Sequence, residues 1–267
     1  MDAQPITPLP ASYRIVDLTQ EIYEGMPVYD IFIPTKYFPV MTYESIRKKT
    51  NDHWAATAFG LLMCDHSGTH VDSISHITDE PGALTIDQFP VERFITSAIC
   101  LDVSHVQLPN EIGAAELEAA CAAAGLEVRQ GDTVLLHTGH YAKLYPQYEY
   151  MGNHTGLSYA GAKWLAERGC VNIGVDSPAI ECVLNMGKAD ATTMPAHRVC
   201  LEHDMNNTEN LCNLDQVLGK RFTYIGVPLP IRGGSGSPIR ALANADGPTV
   251  IDVVTDIDAM APLFVLE

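Results

Sequence analysis

The sequence predicts a single α/β domain built on a mixed sheet. Three observations carry that reading. Strand-like and helix-like segments alternate through the middle of the chain, strands dominate both ends, and no stretch of altered composition marks a boundary. The 267 residues suffice for one large domain, and 46% hydrophobic residues spread along the whole length can bury a substantial core. Residues 1–12 are Pro-rich and read as an N-terminal arm, leaving 13–267 as the domain.

Each element follows from local chemistry. Tyr13–Leu18 alternates and carries β-branched residues, so it reads as a strand. Glu24–Asp52, rich in Pro, Tyr and mixed polar residues, reads as extended loop, a lid or subunit contact. Ala55–Met63 is apolar enough for a buried strand running into a histidine cluster, and Ile95–Val103 is another strand. Ala114–Ala124 consists of strong helix formers and ends at Gly125. Thr133–Leu136 is a short strand after the Gly131-Asp132 turn. Ser158 can cap a helix over Tyr159–Arg168 that Gly169 stops. Asn172–Val175 is a buried strand, and Phe222–Val227 and Thr249–Val254 are late strands.

Charge and composition exclude some functions. The formal net charge of −17 repels phosphate backbones and anionic lipid heads, so neither nucleic acid nor a membrane is an expected partner. Seven cysteines, odd in number and irregularly spaced without a CxxC pair, argue against a disulfide framework and for a reducing cytoplasm. The N-terminus lacks a basic region followed by an apolar run, and no apolar stretch approaches the length of a membrane span.

Chemistry concentrates in Asp65-His66-Ser67-Gly68-Thr69-His70-Val71-Asp72-Ser73-Ile74-Ser75-His76, where three imidazoles and two carboxylates share twelve residues. Imidazole nitrogen and carboxylate oxygen are ligands for zinc, manganese or iron. His70 and Asp72, two apart, point to one face of an extended backbone. His66 lies four before His70, a separation a turn at Gly68 can fold onto the same centre. Three protein ligands leave open positions, as catalytic metal sites do. Histidines also cluster by chance or sit satisfied in cores, so this spacing alone is suggestive rather than diagnostic.

The run HSGTHVDSISH resembles the His-x-Gly-Thr-His-x-Asp-x-Pro-x-His signature of the cyclase family, which includes bacterial kynurenine formamidases, isatin hydrolases and some dienelactone hydrolases. Further similarities appear in the family's order: Val16-Asp17-Leu18-Thr19, Gly131–Leu136 followed by Thr138-Gly139, Gly174–Pro178, His197 with Glu209-Asn210-Leu211, and Gly236–Ala241. The resemblance implies a swivelling β/β/α domain and metal-dependent hydrolysis of a cyclic amide or ester, such as an isatin-like lactam or a lactone, or of an aryl formamide. It implies one or two divalent ions, Mn2+ or Zn2+. His66, His70 and Asp72 match the first metal's ligands; Asp72, His197 and Glu209 match a second; His76 matches the general acid/base. A homo-oligomer, dimer or tetramer, acting on a small molecule is implied as well.

Ile74 departs from the family's usual Pro, and His137 and His140 replace its common Arg and Trp; both are expected to shape substrate recognition. Arg232 and Arg240 are candidates to orient a substrate carboxylate, or else surface or subunit contacts. Asp176-Ser177 either lines the pocket or turns the chain before Pro178. Two other functions compete. Gly234-Ser235-Gly236 and Gly236-Ser237-Pro238 do not complete a serine-hydrolase elbow, and a metal-stabilised binding protein without catalysis would have no use for His76.

Overall fold

The computed structural model describes residues 14–190 and 192–245. The expected arm over 1–12, Tyr13 and the expected strand over Thr249–Val254 lie outside them.

Nine strands form one mixed sheet. In chain order they are β1 (Ile15–Asp17), β4 (His70–Asp72), β5 (Ile95–Asp102), β6 (Thr133–His137), β7 (Asn172–Val175), β8 (Asn206–Glu209), β9 (Arg221–Ile225), β10 (Gly236–Pro238) and β11 (Leu242–Asn244). Their spatial order is β1-β11-β9-β5-β6-β7-β8-β4-β10. The central run β5-β6-β7-β8 is parallel and both flanks are antiparallel. β2 (Lys36–Met41) and β3 (Ala58–Leu62) make a separate antiparallel pair.

Side-chain alternation divides the core in two. Ile99, Leu101, Val134, Leu136, Ile173 and Val175 point to one face, where Leu117 of α2 (Ala114–Ala124), Trp164 and Leu165 of α4 (Tyr159–Ala166) and Val199 of α5 (Pro195–Glu202) cover them. Ala98, Cys100, Leu135, Phe222 and Tyr224 point to the other face and join Val16, Val71 and Leu211. Val16 and Val71 come from strands near opposite ends of the sheet, so the sheet curls on itself. Leu18 and Cys212, joined by a backbone hydrogen bond of 3.0 Å, help close it.

The expected strands at Ile95, Thr133 and Asn172 appear within a residue of their expected bounds, as does the helix ending at Gly125, and the strand expected over Phe222–Val227 spans Arg221–Ile225. Ser158 caps α4 by accepting the Gly161 N–H, and α4 ends two residues earlier than expected, at Ala166. Two expectations are corrected. Glu24–Asp52 is not all loop: it holds β2 and the helix α1 (Tyr43–Thr50), which Thr42 caps. The strand in Ala55–Met63 is not buried, because β3 pairs only with β2 and Phe59, Leu61 and Leu62 stay exposed. Apolar content was read as burial, but it belongs to a hairpin standing off the main sheet. All seven cysteines are free thiols. No helix among the described residues is long and apolar enough to cross a membrane.

Gly156 tests the close packing beside the sheet. A Cβ there would lie 2.1 Å from the Glu181 carbonyl carbon, whereas one at Gly152 would meet nothing within 4 Å. Gly156→Ala is expected to cost about 1–3 kcal/mol in urea unfolding, and Gly152→Ala within about 0.5 kcal/mol. Equal effects would contradict the packing described.

Candidate functional site

Strand period places the first ligating groups. Val71 of β4 enters the core, so His70 and Asp72 share the opposite face. β8 pairs antiparallel with β4 and sets Glu209 opposite His70. On β8, Glu209 and Asn207 share that face, and Asn207 donates to Asp72 Oδ2 at 2.7 Å and to Glu209 Oε1 at 3.2 Å. β10 closes the far edge with Gly236 opposite Asp72.

Two short segments bring the remaining imidazoles. The turn before β4 passes through Gly68, whose φ of +67° suits glycine, and returns His66 to Asp72 with Nδ1 2.7 Å from Oδ1. After β4 a single 3-10 turn over Ile74–His76, opened by the buried Ile74, carries His76 back. Its Nε2 lies 3.9 Å from Asp72 Oδ2, and its ring lies over His66 with centroids 4.0 Å apart. His197 sits in the first turn of α5, which begins at Pro195. Its Nε2 is 3.6 Å from Asp72 Oδ2 and 3.4 Å from Glu209 Oε1.

Outer partners orient these rings. His70 Nδ1 donates to the Gly68 carbonyl at 2.8 Å, which turns Nε2 inward, 3.3 Å from Asp72 and 3.6 Å from Glu209. His197 Nδ1 and its backbone N–H both donate to Glu181 Oε1, at 3.0 and 2.7 Å, again turning Nε2 inward. The donor atoms fall into two interlocking groups, His66–Asp72–His76 and His70–Asp72–Glu209, with all atoms of a group within 4.8 Å of one another. Donors about 2.1 Å from one tetrahedral cation stand roughly 3.4 Å apart. The separations of 3.3–3.6 Å are near that value, with His70 facing Asp72 Oδ1 and Glu209 Oε2, and His197 facing the other oxygens, Asp72 Oδ2 and Glu209 Oε1.

Electrostatics follow from burial and from the carboxylates. Burial would raise the Asp72 carboxyl, but His76, His66 and His197 hold it well below the usual carboxylate range. Burial would lower His70, yet Asp72 and Glu209 carry it up to about 9. His197 is likewise raised well above its ordinary value against its burial, by Asp72, Glu181 and Glu209. His76 goes the other way: burial lowers it, with His66 and His197 adding to that, so it is neutral near pH 7. This arrangement can hold a divalent cation, with protons taking the cation's place in its absence.

The donors floor a cavity of about 300 Å³ whose walls include Tyr29, Phe32, Pro178, Ala179, Met186 and Met194. Tyr29 donates to His154 Nε2 at 3.2 Å, because His154 Nδ1 is committed to the Glu181 carbonyl at 3.0 Å. The expected set His66, His70, Asp72, His76, His197 and Glu209 converges here, with His76, 3.9 Å from Asp72, also a member of a donor group.

Four expected substrate contacts do not reach the cavity. His137 ends β6 beside Asp102, with 3.7 Å between Nδ1 and Oδ1. His140 is buried with Nε2 donating to the Tyr150 carbonyl at 2.7 Å. Arg232 is exposed in the turn after Ile231. Arg240 is ion-paired to Asp17 at 2.5 Å and lines a different cleft of about 760 Å³. Asp176 does not line the cavity; its carboxylate clamps the segment after β6, accepting from the Thr138 N–H and hydroxyl and from the Gly139 N–H at 2.6–2.9 Å. Ser177 Oγ donates to the Ala179 carbonyl. Sequence reasoning missed Glu181 and Asn207, which orient His197, Asp72 and Glu209, and weighed Ser235 only as a nucleophile, not as the partner of His66. It also missed Tyr29 and Phe32, which lay in an assumed loop.

Comparison with known proteins agrees with this geometry. Residues 16–182 match the family model described as putative cyclase. A kynurenine formamidase of Bordetella petrii is 32% identical over 193 residues, 70% of this chain and 80% of that protein. Isatin hydrolase A from Ralstonia solanacearum superposes with a TM-score of 0.75 at 26% identity, covering 91% of this chain and 98% of that one. Isatin hydrolase A from Labrenzia aggregata, bound to benzyl benzoate, gives 0.76 at 23% identity, covering 88% and 95%. The chain shares its fold with these isatin hydrolases, and it belongs to the cyclase family.

Proposed function

We propose that this protein uses a divalent metal, Zn2+ or Mn2+, to hydrolyse the acyl bond of a small aromatic amide or ester. An isatin-like lactam, a lactone and an aryl formamide are its candidate substrates. One observation carries the reading: two interlocking donor groups share the buried Asp72, and their histidines and Glu209 line a small cavity with apolar and aromatic walls. His70, Asp72 and Glu209 would hold a cation at one position, with His197 beside the other oxygens of the same two carboxylates, and His66 with Asp72 would extend toward a second. A divalent cation there supplies Lewis acidity to an acyl carbonyl and brings the pKa of a water toward neutrality. Tyr29, Phe32 and Met186 pack a flat ring and exclude bulk water. His76, neutral and at the cavity edge, takes the proton of the attacking water and returns one to the leaving amine or alkoxide. A second copy of the chain would cover the apolar β2–β3 hairpin, a cytoplasmic homodimer being the simplest assembly.

A specific observation favours a second reading. Asp72, His66 and Ser235 form a line, with 2.7 Å from carboxylate to Nδ1 and 2.9 Å from Nε2 to Oγ, the spacing of a serine-hydrolase triad. That reading leaves His70, His197 and Glu209 without a purpose, and Ser235 is not among the residues lining the cavity.

Chelation separates the two. Prolonged EDTA treatment is expected to abolish turnover of isatin and of an aryl formamide, and added Zn2+ or Mn2+ to restore it. Activity that survives full metal removal supports the serine reading instead. His76→Ala is expected to keep its metal, measured by elemental analysis, and to lose about 10²–10⁴-fold in turnover; loss of the metal would make His76 a ligand. Metal uptake near pH 7 must displace a proton from His70, which is raised to about 9, and the upward shift of His197 by Asp72, Glu181 and Glu209 works in the same direction. Affinity should therefore rise with pH until about 9, where His70 gives up its proton. Calorimetry in buffers of different ionisation enthalpy should register the release; buffer-independent heats would contradict it.

A further inference from the structure

His66 differs from the other two buried imidazoles of the site. His70 and His197 each commit Nδ1 to a backbone or side-chain oxygen and present Nε2. His66 is turned around: Nδ1 faces Asp72 at 2.7 Å, and Nε2 faces Ser235 Oγ at 2.9 Å. Ser235 Oγ also lies 3.0 Å from Asp65 Oδ2. The hydroxyl has one proton, and a carboxylate can only accept. Ser235 therefore donates to Asp65, and its lone pair receives the proton of His66 Nε2. The whole arrangement is held in place. The Ser235 carbonyl accepts the Ser73 backbone N–H at 2.9 Å and the Ser73 hydroxyl at 2.8 Å. Gly236 lets the ring lie flat against the backbone: a Cβ there would stand 2.7 Å from His66 Cε1 and 3.0 Å from the Val71 carbonyl oxygen. Asp65 Oδ1 is itself occupied by the Cys64 thiol at 3.4 Å.

We infer that Asp65 and Ser235 are positioning residues that lock His66 in the Nε2-protonated form, so that Nδ1 is the atom it offers to a metal. Nδ1 and the Asp72 oxygen lie 2.7 Å apart, a distance that a shared proton spans and that is shorter than the roughly 3.4 Å between two donors on one cation, so a bound metal would displace that proton and draw the two atoms slightly apart. The same lock removes Ser235 as a nucleophile, because a triad needs the opposite form, with the proton on Nδ1 and Nε2 free to accept from the hydroxyl. This inference rests on the metal reading above.

The test uses full-length protein labelled with 15N-histidine and loaded with Zn2+. Long-range 1H–15N correlation, with His66 assigned through its backbone, is expected to show Nε2 protonated and Nδ1 shifted by the metal. A proton on Nδ1 with Nε2 bare overturns the inference. Competition with a chromogenic chelator supplies a second readout. Ser235→Ala and Asp65→Asn should weaken zinc binding by about 10–100-fold, with affinity restored in Ser235→Thr, which keeps the hydroxyl. Wild-type affinity in Ser235→Ala overturns the inference and leaves the metal reading standing. A wild-type protein that takes up no zinc overturns both.

Discussion

One buried carboxylate organises this molecule's chemistry. Asp72 is enclosed by the sheet, and a charge so placed is costly unless it is compensated. The compensation comes from His66, His76 and His197, from the Asn207 amide, and from a backbone register that sets Glu209 within reach of the same imidazoles. Two buried carboxylates and several imidazoles form a nest with an excess of lone pairs. Such a nest is stable when protons or a metal ion occupy it, and the raised His70 and His197 are the proton-filled form of that balance.

The fold serves this balance. β4 has three residues, yet it is paired on both sides, with β8 on one and β10 on the other. Each neighbour delivers a group to Asp72 or to its histidines: Asn207 and Glu209 from β8, and Ser235 just before β10. The parallel run β5 to β8 and its helices form the rigid wall against which α5 presents His197. Glu181 ties these parts together, since its side chain holds His197 while its carbonyl holds His154, which in turn fixes the cavity residue Tyr29. Displacing the chain at Glu181 would therefore disturb His197 and the cavity wall at once.

Much of this was legible in the sequence because it rests on local rules. The two-residue spacing of His70 and Asp72 places both on one face of a strand, and that strand is present. The alanine-rich helix and the apolar runs at Ile95 and Thr133 obey propensity and alternation. What escaped depends on contacts between distant segments. Glu181 and Ser235 gain their roles only when the chain folds them against His197 and His66, and nothing in their neighbours' identities announces that. The exposure of β3 was not legible because apolar content alone does not distinguish a core strand from an exposed one, and its partner β2 hides in a Pro- and Tyr-rich segment that reads as loop. Arg240 looked like an anion clamp until its partner proved to be Asp17, more than two hundred residues earlier in the chain.

The central claim is that a metal ion belongs among these donors. Anomalous diffraction from crystals grown with zinc, recorded on both sides of the zinc absorption edge, locates such an ion without reference to activity. The account predicts a strong anomalous peak within bonding distance of the Asp72 carboxylate and the inward nitrogen of His70. Crystals whose zinc lies elsewhere, or which show no peak beside Asp72, would contradict it.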